Sequence, residues 1–136
     1  MKRCHLALVV LMICLCSCSR TPERIISQTW GLRMSKYDPQ VELFKDEQIP
    51  NGDVMTEIRM RVVLTEKDIN KLIGKGARRL PIAESPSDVE WLEGISGVKN
   101  ANEGIYFYEK DEKGLVCRVL IYDEEDEILC YYLSVI

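Results

Sequence analysis

The chain has 136 residues, with 18 basic and 22 acidic side chains, a net charge of −4, six cysteines and a single histidine, His5. That length holds one domain with a real core and falls short of two. The acidic balance argues against nucleic acid as a partner, which rewards clustered Lys and Arg.

The N-terminal stretch reads as an address. Lys2 and Arg3 form a short positive region, and Leu6 to Cys16 is an apolar run of 11 residues. That length suits a secretory signal core and is well short of the ~20 residues a spanning helix needs. The run ends in Leu15-Cys16-Ser17-Cys18, with Leu at −3 and small Ser at −1 from Cys18, the pattern of a bacterial lipobox. Cys16, by contrast, follows bulky Leu15. The expectation is a signal peptide over 1–17, a thioether-linked diacylglycerol on the Cys18 sulfur, and cleavage between Ser17 and Cys18. Each buried methylene contributes ~0.8 kcal/mol, so two or three acyl chains hold stably where one is marginal. The alternative is an ordinary cleaved signal whose Cys18 pairs elsewhere.

Cleavage leaves 119 residues carrying 16 basic and 22 acidic side chains, and it removes His5. The mature chain then has no Ser-His-Asp or Cys-His pair and no imidazole ligand, which excludes hydrolases built on them. Its acidity also argues against electrostatic adhesion to anionic lipid. Residues 18–24 form a lipidated cysteine and a short polar tether, spanning under about 20 Å at ~3.5 Å per extended residue. Residues 25–136 form the domain.

Trp30, Leu32 and Met34 alternate with Gly31 and Arg33, which predicts a strand within 25–34. Val41 to Phe44 and Val54 to Leu64 read as an antiparallel pair, joined through Asn51-Gly52 with its turn signal. In the second of these, Ile58, Met60, Val62 and Leu64 alternate with Glu57, Arg59 and Arg61. Thr65-Glu66-Lys67-Asp68 resembles a capping box with Asp68 answering from N3. The helix it opens carries Ile69, Leu72 and Ile73 on one face and stops at Gly74 or Gly76. Lys67, Lys71 and Lys75 share another face, which reads as a solvated side in preference to a surface for headgroups or wall polymer. Ser85-Pro86-Ser87-Asp88 opens a second helix, through Val89, Trp91 and Leu92 to Gly94. Residues 95–104, rich in Gly and Asn, form a loop that either connects elements or lines a binding site.

Ile105 to Tyr108, Leu115 to Tyr122 and Ile128 to Val135 read as three strands joined by turns at Asp111–Gly114 and Asp123–Glu127. The fold class is therefore α+β: an antiparallel sheet of five or six strands with two short helices on one face, closed by a C-terminal three-stranded meander.

Gly104-Ile105-Tyr106-Phe107-Tyr108, Val119-Leu120-Ile121-Tyr122-Asp123 and Ile128-Leu129-Cys130-Tyr131-Tyr132-Leu133 carry a resemblance. Their order is similar to a group of small bacterial lipoproteins that end in an Ile-Tyr-Asp / Leu-Tyr-Tyr hairpin. Many members carry His-Gly-Asp-Gly before the first helix, where this chain has Asn51-Gly52-Asp53-Val54. The resemblance covers residues 37–135 and implies the fold and the lipid anchor, with no activity attached.

Three features could carry chemistry. Cys117 and Cys130 lie on neighbouring strands of the meander. A two- or four-residue loop would put both on one face and a three- or five-residue loop on opposite faces, because one residue of slip reverses every side chain. The apolar set Leu129, Tyr131, Leu133 and Val135, with a five-residue acidic turn, favours opposite faces and two reduced thiols. The rival is a Cys117–Cys130 disulfide, contributing up to ~3 kcal/mol. The acids of 123–127 suggest a Ca²⁺ site, but lack the alternating ligands and central glycine of an EF-hand and read as a solvated turn. Tyr106, Tyr108, Tyr122, Tyr131 and Tyr132, with Phe107, form either a stacking platform for sugar or peptide or simply strand-favoured packing.

No catalytic, metal or cofactor constellation emerges. The functional expectation is a lipid-anchored, non-enzymatic binding domain on the extracytoplasmic face of the cell membrane or envelope. Its partners would be the membrane, through Cys18, and a protein or envelope polymer. The alternatives are a carboxylate-based enzyme acting on envelope glycan, which needs paired acids in a cleft, and a small immunity or inhibitor lipoprotein.

Overall fold

The computed structural model describes residues 20–136, so Cys18 and the signal segment lie outside the described residues. Six strands form one antiparallel sheet: β1 (Gln40–Gln48), β2 (Val54–Arg61), β3 (Arg78–Arg79), β4 (Gly104–Lys110), β5 (Val116–Asp123) and β6 (Ile128–Val135), in the order β1-β2-β6-β5-β4-β3. The meander β4-β5-β6 and the β1–β2 hairpin form as expected, and β6 joins the two by pairing with both β2 and β5. Three helices accompany the sheet: α1 (Pro22–Trp30), α2 (Glu66–Gly74) and α3 (Pro86–Ser96). Among the described residues, no helix is long and apolar enough to cross a membrane.

The first helix, α1, stands where a strand was expected. Thr21 is its N-cap, the Oγ1 accepting from the Arg24 N–H at 3.2 Å, with Pro22 and Glu23 in the first turn. Each of these is a helix-start signal. Ile25, Ile26 and Trp30 then bury one helical face, and Gly31 closes the helix at φ 69°. Leu32 and Met34 are buried in the turn that follows. The Trp30-Leu32-Met34 alternation therefore spans a helix end and a turn, and the capping signature outweighs it.

The two helices that were expected both form, but on opposite faces of the sheet. Cross-strand partners share a face, so the register sorts the strands into two sets. One set, Ile58, Met60, Ile105, Leu120, Tyr122, Leu129 and Tyr131, packs against Ile25, Ile26 and Trp30 of α1 and Ile69 and Leu72 of α2. The other, Tyr106, Cys117, Val119, Ile121 and Cys130, packs against Leu92 of α3 and Leu80. The centre of the sheet is thus covered twice, which is why Val119 to Asp123 on β5 is a continuous buried run. α3 also runs past Gly94 to Ser96, with Gly97 at φ 72° as its left-handed cap. At Gly104, φ is 130° and a Cβ would lie 1.9 Å from the Tyr122 carbonyl oxygen, so only glycine lets β4 begin beside β5.

The capping box of α2 is remade with a tyrosine. The Thr65 Oγ1 accepts from the Asp68 N–H at 3.2 Å as expected. The Asp68 carboxylate does not return to Thr65. It accepts from the Tyr37 hydroxyl at 2.5 Å and the Lys36 ammonium at 2.7 Å, while the Tyr37 oxygen takes the Thr65 N–H at 3.0 Å. Burial would raise the Asp68 pKa, but the hydrogen bonds from Lys36 and Tyr37 and the Lys36 charge together hold it below the ordinary carboxylate value. A carboxyl lowered in the folded state stabilises above its unfolded pKa, and that contribution is lost as pH falls through the folded value. We expect Asp68→Asn to cost about 1–3 kcal/mol at neutral pH, by weakening the charge-assisted hydrogen bonds that Tyr37 and Lys36 make to this buried side chain. The gap in melting temperature from wild type should close as the pH falls below about 4. Thermal unfolding across pH checks this, and coincident curves at pH 7 would refute it.

Candidate functional site

The site with the most developed geometry lies where α3 crosses the meander. The helix is held at both ends. At its start the Ser85 Oγ accepts from the Asp88 N–H at 3.3 Å, and Pro86 occupies the first turn. At its end the Ser96 carbonyl accepts from the Arg59 Nη2 at 2.7 Å and the Cys130 Sγ at 3.3 Å. A guanidinium at a helix C-terminus is favourably placed against the helix dipole. Arg59 also fills the space under Gly97, where a Cβ would come within 2.6 Å of its Nη2.

The strand register then decides what this helix faces. Tyr132 lies across from Val119, and Val119 across from Tyr108; in the neighbouring row, Ser134 lies across from Cys117, and Cys117 across from Lys110. Trp91 stands over the first row. Its ring centroid is 5.7 Å from that of Tyr132 at 87° and 6.1 Å from that of Tyr108 at 36°. Both distances fall within the range of attractive aromatic pairs. The Tyr108 hydroxyl donates to the Asp88 Oδ1 at 3.4 Å. Together these residues, with Lys110 and Cys117, line an open cleft of about 280 Å³. That is near the lower end of the ~300–1,000 Å³ range of small-ligand sites, a size for one ring rather than a large cofactor.

The cleft is mixed in charge. Asp88 and Lys110 bring one charge of each sign to an aromatic floor. Burial, followed by the negative charge of Asp88, raises the Tyr108 pKa, so its hydroxyl stays a donor. Burial likewise raises the Cys117 thiol, keeping it protonated. Trp91 is 38% exposed beside fully buried Leu92. This is the residue that pattern reading undervalued, by grouping it with Val89 and Leu92. Adjacent helical positions sit about 100° apart, so a Trp next to a core Leu must leave the core face.

The other candidate residues are dispersed. Of the tyrosines, Tyr106, Tyr122 and Tyr131 are core residues, and only Tyr108 and Tyr132 reach the cleft. The Tyr122 hydroxyl, for instance, donates to the Val62 carbonyl at 3.1 Å and accepts from the Leu64 N–H at 3.0 Å. The end of the 95–104 segment, with Leu80, Pro81, Val89 and Glu93, borders a separate depression of about 180 Å³ around Asn100 and Asn102. On the lysine face of α2, Lys71 donates to the Gly31 carbonyl at 3.0 Å, so it serves the end of α1. In the acidic turn, Asp123 is buried and its Oδ1 accepts from the Glu125 N–H at 3.0 Å. No three Asp, Glu, His or Cys side chains converge as a metal-binding group among the described residues.

The cysteines require a correction. Asp123 pairs with Ile128, so the β5–β6 loop has four residues, Glu124 to Glu127, and not five. Cys117 and Cys130 consequently share a face rather than lying on opposite ones. They remain apart because Cys117 is opposite Ser134 and Cys130 opposite Ile121, four positions or roughly 13 Å along the strands. Both are buried free thiols, and burial pushes Cys130 up to about 11. At pH 8 such a thiol is thiolate in roughly one molecule per thousand. We expect a Cys18-free protein to show its full free-thiol mass without reductant and to resist maleimide until denatured. A mass 2 Da lower would establish the disulfide instead.

Comparison with known proteins adds no further constraint on this site: no protein-family model, curated protein or solved structure matches the chain.

Proposed function

We propose that this protein is a bacterial lipoprotein, anchored through Cys18 on the extracytoplasmic side of the membrane. Its domain binds an envelope ligand non-enzymatically in the cleft formed by Trp91, Tyr108 and Tyr132. The observation that carries the binding reading is the open aromatic cleft itself, with Asp88 and Lys110 at its sides. Two aromatic planes set nearly at right angles offer apolar faces to a ring, while the carboxylate and ammonium accept and donate at its rim. A sugar ring has an apolar C–H face and a hydroxyl rim, so a glycan unit of an envelope polymer fits this arrangement.

The anchor reading is supported by the Leu15-Cys16-Ser17-Cys18 pattern after an 11-residue apolar run, and by the resemblance to small bacterial lipoproteins. The enzymatic alternative needs two close, buried carboxylates in one cleft, and Glu66, Glu124 and Glu127, which border one depression, are not buried. The buried acids are Asp68 and Asp123. Asp68 lies at the start of α2 in contact with Lys36 and Tyr37, while Asp123 lies on the α3 face and caps its own turn.

Two experiments test the proposal. Cys18→Ala should abolish a lipid-sized mass increment and move the protein from the membrane to the soluble fraction; a soluble, unmodified wild type would refute the anchor. Soluble peptidoglycan fragments should bind the wild-type protein and shift its Trp emission, with Trp91→Ala weakening binding about tenfold or more. Equal binding by wild type and variant would place the ligand elsewhere.

A further inference from the structure

We infer that the β1–β2 hairpin is the surface on which this domain lies against the bilayer, turning the aromatic cleft away from it. The inference rests on the lipid anchor at Cys18. A single residue, Ser19, separates Cys18 from Arg20, so at most about 7 Å of extended chain joins their Cα atoms. Arg20 is itself held at the sheet. Its Nε lies 3.4 Å from the Asp46 Oδ2 on β1, and the Asp46 Oδ1 accepts from the buried Thr56 hydroxyl at 2.9 Å. The next residue, Thr21, caps α1. The lipid therefore leaves the domain beside β1, in the shallow depression formed by Arg20, Phe44, Asp46 and Gln48.

An independent observation picks the same surface. Of the eight large apolar side chains exposed among the described residues, Val41 and Phe44 lie on the Ile58 face of this hairpin and Ile49 at its turn, whereas the hairpin's Met55 lies across from Ser134 on the cleft face. Phe44 lies opposite Ile58 and shares its face, yet Phe44 is 38% exposed and Ile58 2%. Trp30 of α1 reaches Tyr131 on β6, with ring centroids 6.0 Å apart, and the hairpin's outer strand lies beyond that cover. An exposed Phe44 in the depression that holds Arg20 has an occupant at hand in the headgroup–acyl boundary. Attraction to anionic headgroups is not the cause, because Glu42, Asp46, Glu47, Asp53 and Glu57 of the hairpin outnumber Lys45, Arg59 and Arg61 with Arg20. The contact is apolar and indifferent to salt. The cleft, built on β4, β5 and β6, then stands two to four strand spacings from the bilayer, roughly 10–19 Å, on the other face of the sheet.

The test uses the full-length, lipidated protein in phosphatidylcholine vesicles, with and without brominated acyl chains that quench nearby Trp. Wild type carries Trp30, buried, and Trp91, in the cleft. Its emission should be the same in both vesicles. Phe44→Trp, or Ile49→Trp at the hairpin turn, should add a blue-shifted component that is lost in brominated vesicles and unaffected by salt. Added emission that survives bromination, with Trp91 quenched in its place, overturns the orientation. So does unquenched emission from protein that cross-links to a second copy along β1. Protein that fails to float with the vesicles refutes the anchor and the orientation together; protein that floats unquenched refutes the orientation alone.

Discussion

The arrangement of this domain depends on how β5 turns into β6. The Asp123 carboxylate accepts from the Glu125 N–H, and Glu127 takes a left-handed conformation at φ 58°, so the chain reverses in four residues. That count pairs Asp123 with Ile128 and every odd position of β5 with an even position of β6. Since side chains alternate, a loop one residue longer would exchange the two faces of β6. Tyr131 would leave Trp30, Cys130 would leave the end of α3, and Tyr132 would leave Trp91. β2 pairs with β6 along its whole length, so the hairpin β1–β2 inherits the same choice. One buried aspartate thus coordinates both layers of the core.

This dependence also explains what could be read in advance. The strands of the meander, the β1–β2 hairpin and the two later helices are written in period-two alternation, an Asn-Gly turn and Ser/Thr caps, which are local signals. The register is not local. Five consecutive acids look alike, and nothing in the string Asp-Glu-Glu-Asp-Glu says that the first ends a strand and points inward. Composition favoured a contiguous apolar set on β6, but a sheet covered on both faces makes both sets apolar, so that comparison has no power. The same blindness placed both helices on one side. The first helix escapes for a different reason: Trp30-Leu32-Met34 reads as a short alternation and residues 18–24 as a tether, whereas Thr21-Pro22-Glu23 carries a cap, which fixes a helix start more sharply than so short a pattern fixes a strand.

The cleft was legible only in part. Tyrosine enrichment in the meander pointed to an aromatic platform, yet three of the five tyrosines are core residues, as strand aromatics usually are. What separates Tyr108 and Tyr132 from them is Trp91, whose role depends on where α3 crosses the sheet. That crossing is set by the Ser96 carbonyl, which gathers the Arg59 guanidinium and the Cys130 thiol. Arg59, read in the sequence as an outward member of an alternating strand, is outward only in the sense of facing a second layer.

The two thiols of the domain have a consequence for its biogenesis. They share a face, lie four rungs apart, and are each shut in a low-dielectric interior that keeps the sulfur protonated. The native state is therefore closed by packing and by carboxylate-capped turns, and it borrows nothing from oxidation. Such a domain matures without a disulfide-forming enzyme and holds its shape through swings in the redox poise of its surroundings. Its window of vulnerability is confined to the unfolded chain, in which both sulfurs are free to meet; folding itself withdraws them from thiol exchange.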